Sequence, residues 1–322
     1  MKVILTGAAG FIGSCFLREL NDLGIDDVVA VDVQSAADHP NLTGKKFADY
    51  ANREELIDRI DRGQLKEADA IVHLGACADT TEKDRAFLAR NNVQYSQRLA
   101  RFALSNEMMF HYASSASVYG DGSKGYADDP EKLVEFKPLN PYAESKWLFD
   151  RWVIGEKLLD RVLGYRYFNV FGPNEYHKGN MRSMVSKAFD QIRETGRVKL
   201  FASSRPGYAD GSEERDFVYV KDVTRLMAWF LQRPDKGGIY NVGTGKARTF
   251  HDLVAAVFKA LGKPPAIDYF PMPENLRGQY QYYTQADLTR LRRTGCDVEF
   301  QVLETSVADY VNGHLAAAQP TY

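Results

Sequence analysis

The sequence predicts an α/β protein built on a doubly wound parallel sheet. Three observations carry this: short apolar runs alternate with longer amphipathic stretches through the first half, a glycine-rich turn joins the first run to the first stretch, and an acid ends the second run. The runs at 3–5, 27–31, 70–74, 108–112 and 162–168 are almost continuously apolar, as strands buried on both faces must be. Between them, 12–23, 53–62, 85–105 and the segment containing 146–159 have helical patterning. Right-handed crossovers would place the strand carboxyl ends, and any ligand, along one edge. Beyond Asn169 the rhythm breaks into a stretch rich in Gly, Pro, Ser and charge with one helix near 181–195. The runs at 217–220 and 238–242 then look like a return to the first sheet. The expected organisation is one domain of residues 1–169 plus 217–262, and a smaller, discontinuous α/β substrate domain of 170–216 plus 263–322.

Composition narrows the partners. With 322 residues, 44% hydrophobic and 26% charged, the chain is globular and without a low-complexity tract. A formal net charge of −2 gives no reason to expect nucleic acid or an anionic membrane surface, so an anionic ligand must be held by local basic residues. Cys15, Cys77 and Cys296 are dispersed and never form a Cys-x-x-Cys pair, which argues against a disulfide framework and against a metal site. The first residues run straight into a strand pattern, and no apolar stretch is long enough to span a bilayer, so the expected location is the cytoplasm.

Gly7-Ala8-Ala9-Gly10-Phe11-Ile12-Gly13 follows a strand and opens a helix. Gly7 permits the tight turn, Gly10 lets backbone N–H groups approach a pyrophosphate, and Gly13 lets helix and strand pack closely. Asp32 ends the next strand, where a carboxylate accepts from the hydroxyls of an adenosine ribose. These features define a Rossmann-type nucleotide site for NADP or NAD. Asp32 favours NAD by charge, whereas Lys45, Lys46 and Arg53 follow and could pair with a 2′-phosphate.

The second constellation is chemical. A Ser114-Ser115 pair ends the 108–115 strand region, and Tyr142-Ala143-Glu144-Ser145-Lys146 begins a helix. Positions four apart share a helix face, so Tyr142 and Lys146 project together. An ammonium beside a phenol would lower the phenol pKa toward neutrality, where it can exchange a proton with a substrate hydroxyl while a nicotinamide takes or returns the hydride. Ser115 can donate to the same oxygen.

These pieces together resemble the extended short-chain dehydrogenase/reductase family, which includes nucleotide-sugar epimerases and dehydratases. The resemblance implies that Phe11, Ile12, Leu74, Gly75, Ala76, Cys77, Ala78, Asn91 (or Asn92), Lys146 and Val170 line the cofactor, and that Arg215 faces a nucleotide diphosphate. Dehydratases of the family carry an acid pair after the strand-end Ser or Thr; Ala116 and Ser117 stand there, which argues against dehydration. The segments 166–181 and 276–288 resemble the branch whose members invert C6 of an ADP-linked heptose. A secondary alcohol inverted by oxidation and re-reduction presents both faces of a ketone to one cofactor, so two acid/base groups on opposite sides would serve it. Tyr142 is one. By resemblance Lys178 is the other, with a phosphate clamp as its alternative role. The resemblance also carries over Asn169, Asn180, Lys187, Phe201, Ser204, Arg215 and Tyr280 as substrate residues, Asn180 and Lys187 standing where the family has Ser and His. It implies a nucleotide-sugar substrate and a homo-oligomer. A 4-epimerase or other oxidoreductase on a different sugar nucleotide, and a non-catalytic nucleotide-binding protein, are the alternatives.

Overall fold

The computed structural model describes residues 1–33, 39–204, 207–274, 281–317 and 321–322; Tyr280 lies outside them. The first half contains β1 (Val3–Thr6), α1 (Phe11–Asp22), β2 (Val28–Asp32), β3 (Asp49–Asn52), α2 (Arg53–Asp61), β4 (Ala70–His73), α3 (Arg85–Leu88) and α4 (Tyr95–Ser105). There follow β5 (Met109–Ser115), α5 (Pro141–Gly155), β6 (Val162–Tyr167), β7 (Asn169–Phe171), α6 (Met184–Thr195) and β8 (Val198–Ala202). The last part contains β9 (Glu214–Tyr219), α7 (Val220–Leu231), β10 (Gly238–Val242), β11 (Ala247–Thr249), α8 (Phe250–Ala260), β12 (Ile267–Pro271), α9 (Thr289–Arg293) and α10 (Leu303–Tyr310).

Seven parallel strands form the main sheet in the order β10-β6-β5-β4-β1-β2-β3. β1 and β4 are fully buried, and helices cover both faces. Phe16, Leu17 and Leu20 of α1 join Leu226, Met227 and Phe230 of α7 on one face. Leu56, Leu99, Phe149 and Val153, from α2, α4 and α5, cover the other. The strand order reverses between β1 and β4, the topological switch point at which such sheets open a crevice.

Three features depart from the sequence expectation. β3 buries only Ala51, so this polar edge strand carries no apolar signal; its register sets Asn52 beside Asp32 and starts α2 at Arg53. The helix expected over 85–105 is interrupted by a π turn at Ala89–Gln94, a widening often found at functional sites. The run at 217–220 does not return to the main sheet. It belongs to β9, which pairs with β7 and β11 in a separate three-stranded sheet, and only β10 rejoins the first. Packing also cuts across the expected domain limits. α8 shares a core with α6 and α10 through Val257, Phe189 and Val307, while Leu291 of α9 packs into the main-sheet core. Among the described residues no helix is long and apolar enough to cross a membrane, and no group of three or more His, Cys, Asp or Glu is placed to hold a metal ion.

Candidate active site

A cleft of about 880 Å³ opens at the carboxyl edge of the main sheet, over the switch point. Its floor is backbone. Gly7 has φ +72°, and a Cβ there would lie 2.7 Å from the Gly75 nitrogen, so the β1 and β4 turns touch. A Cβ on Gly13 would lie 1.9 Å from the Gly7 carbonyl oxygen, which ties α1 closely against the turn. Asp32 closes this cradle: its carboxylate accepts from the Ala9 N–H at 2.9 Å and the Val33 N–H at 2.7 Å. The cradle and its acid fit the pyrophosphate and ribose of a dinucleotide. Every residue expected at the cofactor lines this cleft: Gly7, Gly10, Phe11, Ile12, Gly13, Asp32, Arg53, Leu74 to Ala78, Asn91, Lys146 and Val170.

Asparagines fix the rim. Asn92 accepts from the Cys77 N–H at 3.0 Å and donates to the Cys77 carbonyl at 3.0 Å and to Ser145 Oγ at 2.9 Å, clamping the β4 loop to α5. Its neighbour Asn91 accepts from Arg53, whose guanidinium lies 4.3 Å from the Tyr95 ring centroid. Of the three cations considered for a 2′-phosphate, only Arg53 lines the cleft. Lys45 donates to the Tyr322 carbonyl and Lys46 pairs with Asp26 at 3.5 Å, so the fold turns both elsewhere.

Ser115, Tyr142 and Lys146 meet on one wall. Asn140 caps α5 by accepting from the Ala143 N–H at 2.8 Å, with Pro141 at the first helical position, which sets Tyr142 in the first turn. The electrostatics correct the sequence expectation. Burial raises the Tyr142 phenol above its ordinary 10, and a hydrogen bond with Ser115 opposes this only in part. The Lys146 ammonium donates to the Ala113 carbonyl at 2.9 Å. Burial pulls that amine down to about 8 against the pull of Asp150. The chain's own groups therefore keep Tyr142 protonated. Asp150, one turn beyond Lys146, accepts from Tyr112 at 2.9 Å, Ser114 at 3.0 Å and the fully buried Arg166 at 2.9 Å, anchoring α5 to β5 and β6. Removing either member of such a pair leaves an uncompensated buried charge.

The segments that carry the three- and two-stranded sheets, here the second lobe, complete the lining. Lys178 lines the cleft, its Nζ 5.2 Å from the Phe11 ring centroid. Burial lowers its amine below 10.5, with Glu175 opposing and Lys187 adding to the shift. Asn169 also reaches the cleft. Asn180, Lys187, Phe201, Ser204 and Arg215 do not line it. Lys187 donates to the Asn180 carbonyl at 2.6 Å, Phe201 packs on Phe270 at 5.0 Å between centroids, and Ser204 Oγ lies 2.8 Å from the Tyr282 hydroxyl. Arg215 donates to the Glu214 carbonyl at 2.9 Å and lies 5.6 Å from the Phe250 ring centroid. α6 and β9 meet the cleft through other residues, Met184 and Phe217, and no residue of β8 lines it. Sequence reasoning passed over several wall residues. Gln281, which donates to the Gly120 carbonyl at 2.6 Å, and His39 and His177, whose rings meet edge-on at 5.2 Å, had no spacing signal. Burial lowers both imidazoles, while Asp32 pulls the other way.

A glycine cradle at a switch point, an acid at the second strand end and a Ser-Tyr-Lys wall define a Rossmann-type enzyme of the nicotinamide dinucleotide class. Residues 3–243 match the model of the NAD dependent epimerase/dehydratase family, and the chain belongs to that family. It is 49% identical to the ADP-L-glycero-D-manno-heptose-6-epimerase of Nitratidesulfovibrio vulgaris, over 98% of this chain and 99% of the relative. The crystal structure of the Helicobacter pylori ADP-L-glycero-D-manno-heptose-6-epimerase superposes with a TM-score of 0.80 at 27% identity, covering 98% of this chain and 96% of that one. The Thermus thermophilus UDP-glucose 4-epimerase, solved with NAD, superposes at 0.76 and 26% identity over 99% and 100% of the two chains.

Proposed function

We propose that this chain converts ADP-D-glycero-D-manno-heptose to its L-glycero-D-manno epimer by transient oxidation and re-reduction, with no net redox change. The observation that carries the reading is that Ser115, Tyr142, Lys146 and Lys178 line one cleft together with the glycine turn of the dinucleotide cradle. The likeness to named heptose epimerases over nearly the whole chain supports the substrate.

When bound, the dinucleotide supplies the two-electron chemistry and a positively charged ring. The chain supplies the rest. Ser115 holds the Tyr142 hydroxyl, which exchanges a proton with the sugar oxygen at one face. Lys146, fixed by the Ala113 carbonyl, keeps positive charge next to that exchange. Lys178 serves the other face: burial lowers its amine below the ordinary lysine value, which makes its proton easier to give up and recover. Asp32 turns its remaining lone pairs to the adenosine ribose. For the cofactor we favour NADP, because the Arg53 guanidinium lines the cleft one residue beyond Asn52, the strand partner of Asp32. We place the enzyme in the cytoplasm, where unpaired thiols such as Cys15, Cys77 and Cys296 persist.

Incubating the protein with ADP-D-glycero-D-manno-heptose and following the epimers by NMR tests the reading, with the mass of any copurifying dinucleotide recorded on the same preparation. Epimerisation with NADP is expected. An unchanged heptose, with conversion of a UDP-hexose instead, would replace the proposal by a 4-epimerase.

A further inference from the structure

Among the ties between the segment carrying Lys178 and the dinucleotide cradle is a buried side chain that neither lines the cleft nor belongs to any motif. Asn41, in a short 3-10 turn at Pro40–Leu42, is 3% exposed. Its amide nitrogen donates to the Ala9 carbonyl at 3.0 Å and to the Asn174 carbonyl at 3.0 Å, and lies 3.3 Å from His177 Nδ1. Two carbonyl acceptors leave only the NH2 able to occupy that place. Ala9 is the residue whose N–H holds Asp32. The other end of the tie is equally fixed. Asn174 takes a left-handed backbone (φ 71°) and is fully buried, donating to Ser14 Oγ of α1 at 2.9 Å and exchanging hydrogen bonds with the Tyr322 backbone at 2.8 and 3.0 Å. Next to it, buried Glu175 accepts from the Ser183 N–H at 2.5 Å, Ser183 Oγ at 2.6 Å and the Tyr310 hydroxyl at 3.0 Å. Glu175 thereby closes the loop that contains Lys178, whose own N–H donates to the Glu175 carbonyl at 3.0 Å.

We propose that Asn41 is a positioning residue that registers the Lys178 loop on the glycine turn, so that the acid/base group of the second lobe takes its place from the dinucleotide cradle. The proposal rests on Lys178 acting as the second acid/base group. Asn41 itself touches none of the reacting atoms. It fixes a distance between two walls that belong to different sheets, and a displacement of about 1 Å at a reacting group can cost on the order of 10²-fold in rate.

The test is a double-mutant cycle on the full chain, reading kcat, KM and the pH profile of kcat, with activity expressed per folded molecule. Asn41→Ala should lower kcat by about 10²-fold with little change in substrate KM, and should shift the pH limb that Lys178→Met abolishes. In the Lys178→Met background the same change should cost almost nothing, because the group it positions is gone. Asn41→Asp keeps the size and removes both donors, and should reproduce the loss if Asn41→Ala folds poorly. Losses that multiply in the double variant, or full kcat in both Asn41 variants beside a disabled Lys178→Met, would overturn the positioning role alone. A fully active Lys178→Met would instead remove the second-base reading, and the proposal with it.

Discussion

The two lobes that line the cleft do so by different means. At the dinucleotide cradle the sheet lobe presents backbone: seven contiguous residues, 7–13, form a surface in which a side chain at Gly7 or Gly13 would collide with a neighbouring chain segment. The second lobe presents side chains gathered from distant segments, among them Asn169, Lys178, Met184, Phe217, Phe250 and Gln281. A site made of backbone can be compressed into a short motif because glycine has no substitute in it. A wall made of side chains can be drawn from anywhere that the fold brings near.

Substitutions on each side put that contrast under strain. The largest effect is expected from Tyr142→Phe, which removes the proton-exchanging hydroxyl and leaves the ring and the Lys146 anchor in place. Turnover should fall by about 10²–10⁴-fold while the dinucleotide stays bound; parallel loss of the bound dinucleotide would make the hydroxyl a binding group. Gly13→Ala comes next. Its Cβ would meet backbone that cannot swing aside, at 1.9 Å, and we expect a loss of about 3 kcal/mol of stability in denaturant titrations. An unchanged midpoint would mean that the cradle is not rigid. Arg53→Met should weaken NADP by roughly 30-fold, about 2 kcal/mol for a charge-assisted contact, and leave NAD unaffected. Equal losses for both would assign Arg53 to packing on Tyr95.

The most gradual effect is spread over pH. His73, bonded to Thr6 Oγ1 at 2.7 Å and Ser96 Oγ at 2.8 Å, and His111, bonded to the Tyr165 hydroxyl at 2.9 Å, are both held down to about 3 by burial. Unfolded, they take a proton near their ordinary 6.5. Between 6.5 and 3 the unfolded chain therefore binds more protons, and stability falls as pH falls through that window. The expected slope is about 1.4 kcal/mol per pH unit for each histidine. His111→Gln should flatten the measured slope by one histidine's share, and an unaltered slope would show that His111 ionises without unfolding the sheet.

Much of the sheet lobe was legible because parallel strands buried on both faces write themselves as apolar runs, and because the glycine turn, Asp32 and the Tyr-Lys pair lie at fixed offsets. What was missed has physical causes. β3 is an edge strand with one buried residue, so it leaves no apolar trace. The run at 217–220 looks like any other buried strand, since periodicity does not name a strand's partner. Spacing put Tyr142 and Lys146 on one helix face, but could not show that the ammonium satisfies the Ala113 carbonyl or that burial outweighs it at the phenol. Lys45 and Lys46 are near Asp32 only along the chain. In the second lobe, Lys178 and Asn169 came from resemblance and lie in the cleft, whereas Asn180, Lys187, Phe201, Ser204 and Arg215 came the same way and lie outside its wall.

The position of β10 beside β6 fixes an order of events during synthesis. A ribosome releases β1 to β6 well before residue 242, and most of the second lobe's strands lie in between. Until β10 arrives, β6 is an open edge, and all six of its residues are apolar enough or neutralised enough to be buried in the finished protein. An unpaired strand of that kind templates pairing with other chains. Chains cut between β7 and β10 are expected to expose Val162–Tyr167 for such pairing, and in the finished sheet that edge is covered by a strand that the chain makes only after its detour through the second lobe.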